Sequence, residues 1–147
     1  MADSFNLEGL NGLEKEINQT VKEIKNLPAQ IVKILSTIRN QMIFDTTSGV
    51  DYKGRPFTPY SKMYKAIRLE NNRQAVPVSL TYTGNMLRSM KVFNISGGGE
   101  LRFNSTNAND LAVWHNEGKG VPKREFFGLN KRNINYIETR LGRTITL

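Results

Sequence analysis

His115 is the only histidine of the chain, and it sits in Trp114-His115-Asn116-Glu117-Gly118. These are residue types that acid–base or metal chemistry would use. The chain has no cysteine, and no close run of carboxylates joins the histidine, so a metal site lacks ligands. No serine lies in a Gly-x-Ser-x-Gly elbow, and there is no Gly-x-x-x-x-Gly-Lys phosphate loop. The reading is therefore non-enzymatic and without cofactor, with His115 and Gly118 as structural residues at a corner.

The neighbouring Pro122-Lys123-Arg124-Glu125-Phe126-Phe127-Gly128 points to contact instead of catalysis. Phe126, Phe127 and Gly128 form an apolar plug. Lys119, Lys123 and Arg124 are expected to point outwards, because a basic pair is not buried unpaired. An exposed loop of this kind could touch an acidic partner or DNA phosphates.

Two further fragments share this character. One is Tyr52-Lys53-Gly54-Arg55-Pro56-Phe57-Thr58-Pro59-Tyr60-Ser61, and the other is Leu80-Thr81-Tyr82-Thr83-Gly84-Asn85-Met86-Leu87-Arg88-Ser89. With Ala112–Leu129 they occur in an order that resembles the phage virion morphogenesis family, the small tail-completion proteins of Mu-like and related tailed phages. The resemblance covers about two thirds of the chain, roughly Gly49 to Leu141. Where that family usually has a proline, this chain has Glu125; the flanking Arg124, Phe126 and Gly128 agree. The resemblance implies a structural virion protein that completes the tail and joins it to the head in a neck or connector ring. It implies a homo-oligomer, a ring of six around the DNA passage, with adjacent neck and tail proteins as partners. The implied location is the virion at the proximal tail end, after assembly in the host cytoplasm.

Charge fits a contact protein. The net charge is +8, unevenly spread. Residues 1–51 hold five Lys+Arg against seven Asp+Glu, a net of −2, whereas residues 52–147 hold sixteen against six, a net of +10. One face is expected to seek acidic surface or nucleic acid. Arg55, Lys62, Lys65, Arg68, Lys119, Lys123 and Arg124 are the candidates to face a DNA channel or a partner. The alternative reading is a nonspecific DNA-binding accessory protein, since no recognition helix or zinc ligands argue for base reading. No stretch of 18 apolar residues suggests a membrane span, and no secretory leader is expected.

These residues must be positioned by an α+β chain of a single structural domain, read as an N-terminal helical segment (1–45) and an α+β tail-completion-like part (46–147). Leu7, Leu10, Leu13, Ile17, Val21, Ile24, Leu27, Ile31, Leu35, Ile38 and Met42 recur every 3.5 residues on average, the spacing of a helical seam. Pro28 interrupts without shifting the phase, which predicts either one long helix kinked there or two helices joined there. Such a helix outreaches a small domain, so Leu10, Leu13, Ile17, Val21 and Ile24 are the candidate contact between subunits.

Downstream, Ser61 should cap a helix to Glu70 that buries Met63, Ala66 and Ile67. Thr83, with Gly84 for close backbone approach, should cap a short helix through Met90 whose Met86, Leu87 and Met90 face inward. Lys91–Ser96 and Glu100–Ser105 alternate around Gly97-Gly98-Gly99 and predict an antiparallel hairpin. Asp110–His115 reads as a helix ending near Gly118. A last helix spans Asn130–Leu141 with Gly142 as its stop, and Thr144–Leu147 could add a short strand.

Overall fold

A computed structural model describes residues 7–142, with side chains from residue 12 onward. The architecture is α+β: a long helix α1 (Leu7–Thr47), then α2 (Lys62–Glu70) and α3 (Asn85–Ser89). An antiparallel pair β1 (Met90–Ile95) and β2 (Gly98–Phe103) follows, then α4 (Thr106–Glu117) and α5 (Lys131–Leu141). The Leu10 side chain and the strand expected over Thr144–Leu147 lie outside the described residues.

α1 runs through Pro28 as one helix; two helices joined there are not formed. Proline removes the bond to the carbonyl four residues earlier, here that of Ile24, which lies in the exposed half of the helix and can be hydrated. Beyond Pro28 the helix turns inward, burying Ile38 and Met42 of the stripe and, beside it, Ile34, while Ile31 and Leu35 are half-buried. Ile34, Ile38 and Met42 are buried against Phe57, Tyr60, Val78, Met86, Met90 and Phe126. Burying each such side chain contributes about 1.5–3 kcal/mol, so the last four turns of α1 are the spine of the core.

The hairpin pairs Met90 with Phe103 and Ile95 with Gly98. Its turn is Ser96-Gly97, not the three glycines together, for Gly98 and Gly99 are already strand. Their lack of a side chain serves packing: a Cβ on Gly99 would lie 3.0 Å from Val32 Cγ2 and 3.2 Å from Leu35 Cδ1. Helix α1 thus lies almost directly on the backbone of β2.

Helix caps follow sequence chemistry. The Ser61 hydroxyl accepts from Tyr64 N–H at 3.2 Å. Ser105 accepts from Ala108 N–H, which starts α4 at Thr106, a turn before the expected Asp110. Gly118 closes α4 in the left-handed conformation. Asn130 and Asn133 form a reciprocal capping box at α5, and Gly142 ends it.

Two expectations need correction. The cap of α3 is Gly84 in the left-handed conformation, without a side-chain bond; the Thr83 hydroxyl accepts instead from Asn85 N–H at 3.3 Å. α3 also stops at Ser89, because Met90 has joined β1, although Met86, Leu87 and Met90 are buried as expected. In α2 the inward face is the reverse of the one expected. Met63, Ala66 and Ile67 are exposed, while Tyr64 is half-buried and Arg68 fully buried.

Candidate functional site

The projecting half of α1 is the first candidate surface. Every described side chain from residue 12 to residue 26 is exposed. Leu13, Ile17, Val21 and Ile24 retain 53%, 53%, 42% and 58% of their accessible surface, so four seam residues stay exposed among the described residues. At 1.5 Å per residue the 41-residue helix is roughly 61 Å long.

The basic candidates fall into three groups. Arg55 reaches Asp51 at 2.7 Å and Glu125 at 3.1 Å, and Lys123 and Lys53 also converge on Glu125, at 3.1 and 3.7 Å. Glu125 is therefore the hub of a basic cluster. The Lys123 hydrogen bond foremost holds its carboxyl below the ordinary glutamate range. Beneath it, Asp51 accepts from the N–H groups of Lys53 and Arg55 at 2.9 and 2.8 Å and fixes the Tyr52–Arg55 turn. Lys62, Lys65 and Lys119 form the second group, on α2 and on the loop after α4; Lys119 pairs with Glu117 at 2.6 Å.

Arg68 and Arg124 make up the third group, and they correct the sequence reading. Neither points outwards: they are 1% and 4% exposed. Each is held by main-chain carbonyls in place of a carboxylate. Arg68 donates through Nε to Gln74 O and through Nη2 to Thr81 O. Arg124 donates through Nε to Thr58 O at 2.9 Å and through Nη2 to Pro59 O at 3.2 Å. Both guanidinium groups lie on the Tyr60 ring, with Cζ 4.7 Å (Arg68) and 5.0 Å (Arg124) from its centroid. Arg68 also lies 5.7 Å from the Tyr64 ring and 5.6 Å from the Tyr82 ring. Cation–π attraction and carbonyl acceptors let a weakly hydrated guanidinium leave water, as a lysine ammonium would not.

These residues wall a cavity of ≈ 460 Å³. Tyr60, Tyr64 and Tyr82 line one side, Leu80, Met86 and Leu111 supply apolar surface, and Thr83, Gly84, His115 and Val121 complete it. Leu80 adopts φ +53°, a conformation rare for a bulky residue; its N–H donates to the Tyr60 hydroxyl at 3.2 Å. The His115 Nδ1 atom is buried without a hydrogen-bond partner, so its imidazole is not the corner brace expected of it. Burial, and then the charge of Arg124, push its pKa below the usual 6.5. Its main-chain carbonyl does brace the loop, accepting from Arg124 N–H at 2.7 Å.

Side-chain bracing at this corner falls to Asn116, which sequence reasoning passed over. Its amide bonds both the carbonyl and the N–H of Phe127. Phe126 is buried and Phe127 half-buried, the two packed with Phe103. Gly128 lies under the Tyr52 ring, where a Cβ would come within 2.9 Å of ring carbons. The plug motif therefore closes the core, and its basic neighbours divide between surface and interior.

Among the described residues no cluster of His, Cys, Asp and Glu could hold a metal ion, and no helix is long and apolar enough to cross a membrane. No protein-family model, curated protein or solved structure matches the chain.

Proposed function

We propose that the chain is a structural protein of a tailed-phage virion that completes the tail and joins it to the head as part of a neck ring. The observation that carries the reading is the projecting half of α1, with a 3.5-residue apolar seam that its own chain leaves exposed. A seam of that period is the surface on which a second helix packs knobs into holes. In a ring, each copy would offer its α1 to the next in a head-to-tail contact that closes on itself. The motif order of Tyr52–Ser61, Leu80–Ser89 and Ala112–Leu129 supplies the virion context. The exposed Arg55, Lys62, Lys119 and Lys123, with the half-buried Lys65, then border the DNA passage, where an acidic wall would repel the genome.

The test is assembly. The full chain should form a discrete ring by negative-stain microscopy and light scattering, and Ile17→Asp with Val21→Asp should reduce it to folded monomer. Charge reversal at Lys62, Lys119 and Lys123 should leave the ring intact but impair joining of heads to tails in extracts. A monomer at all concentrations, binding any duplex with steep salt dependence, would instead select the nonspecific DNA-binding reading.

A further inference from the structure

The geometry points to the Arg68–Arg124 cavity as a binding site for a carboxylate carried on an apolar body. Two guanidinium groups, each about 5 Å from the Tyr60 ring centroid, line one cavity, and no Asp or Glu lines it. Among the described residues neither arginine has an ion pair. An unpaired buried charge is costly, and it is tolerated where a partner ion completes it.

Both guanidinium groups spend Nε and Nη2 on carbonyls; among the described residues neither Nη1 has a hydrogen-bond partner. A carboxylate in the cavity would accept a charge-assisted bond from a guanidinium that has a donor to spare. The remaining wall fits the rest of such a ligand: three tyrosine rings with Leu80, Met86, Leu111 and Val121. A volume of ≈ 460 Å³ lies within the range of small-molecule sites. Those apolar walls favour a singly charged carboxylate over phosphate, whose greater charge costs more to desolvate. His115, with its unpartnered Nδ1, and the left-handed Leu80 also line the cavity; unmet bonding and backbone strain gather where a ligand repays them. An adjoining cleft shares Tyr82, Thr83 and Gly84 and is lined by Arg39, Arg73 and Arg88, again without an acid. Its field draws an anion towards the mouth.

The carboxylate has two sources, a free organic acid or an acidic side chain on a peptide, and the experiment separates them. The full chain, labelled with ¹⁵N in arginine and histidine, is titrated with benzoate, with the peptide acetyl-Leu-Glu-Leu-amide, with benzamide and with inorganic phosphate. Saturable shifts of the Arg68 and Arg124 Nε–H signals with benzoate or the peptide are expected. The tighter of the two identifies the source. Val121→Trp adds bulk to the cavity while keeping both arginines, and should weaken binding at least tenfold while the fold persists. Arg124→Lys should weaken it similarly if it folds. Equal binding of benzamide, preferential binding of phosphate, full binding by Val121→Trp, or no shift with either carboxylate would each overturn the assignment. None of these outcomes depends on ring formation, so the site and the virion reading fail separately.

Discussion

Asn116 holds Phe127 by both ends of its amide: Nδ2 donates to the Phe127 carbonyl at 2.8 Å, and Oδ1 accepts from the Phe127 N–H at 3.1 Å. One side chain thereby imitates a strand partner for a segment that has none. It ties the last turn of α4 to the aromatic plug and sets the chain direction from Arg124 into α5.

Removing that clamp should loosen the plug. Asn116→Ala strands two half-buried backbone groups, each costing about 1–3 kcal/mol. Urea unfolding should show a loss of roughly 2–4 kcal/mol, and Asn116→Asp, which keeps the acceptor alone, should fall between the variant and the parent.

Gly99 offers a second measurement. Its absent Cβ is the space into which Val32 and Leu35 pack, so Gly99→Val should overpack the helix–strand contact and cost about 1–3 kcal/mol. The exposed Ser96→Val in the adjoining turn should change the unfolding midpoint far less.

His115, Asp51 and Glu125 all have lowered pKa values, so each gives stability a pH dependence in the same sense. His115 has its pKa lowered by burial and then by Arg124. The folded chain therefore binds that proton less readily than the unfolded one. The stability is present above about 6.5, the unfolded histidine value, and is lost as pH falls through the folded value. For Asp51, burial raises the pKa, but hydrogen bonds from Arg55 and Lys53 together outweigh it and leave the carboxyl below 3.8. A further loss should therefore begin below about pH 4. Denaturant midpoints measured from pH 8 to pH 3 should fall in two stages, and His115→Gln should flatten only the upper one.

Deleting residues 1–26 separates assembly from folding. The deletion removes only exposed side chains among those described, so the thermal midpoint of the remainder should stay within a few degrees. The deleted chain should be monomeric by light scattering.

Sequence periodicity reached furthest where a side chain has one role. The helix over Leu13–Met42, the antiparallel pairing of β1 with β2, and the caps Ser61, Gly118 and Gly142 were all legible, since each expresses a local rule. α2 was misread because hydropathy ranks Met63 and Ile67 above Tyr64 and Arg68. In fact Tyr60, Tyr64 and Arg68 recur every four residues; the two rings meet edge to face at 5.0 Å, and the Arg68 guanidinium lies over both. The burial of Arg124 depends on the Thr58 and Pro59 carbonyls some 66 residues away, a contact no local pattern announces. Gly98 and Gly99 looked like a turn because their true reason, the approach of Val32, also lies far off in sequence.

A single helix with one half embedded and the other bare carries two local stabilities. Amide protons of residues 34–46 are locked by the core and should exchange with solvent only on global unfolding. Those of residues 12–26 have only their own helix to protect them, and a solitary helix of that length is marginal in water. In the lone chain they should exchange orders of magnitude faster, with no break in the helix to mark the change. Deuterium uptake along α1 should therefore rise steeply towards the amino terminus from the neighbourhood of Pro28. Any partner that packs on the seam would announce itself by slowing exchange there and nowhere else on the helix.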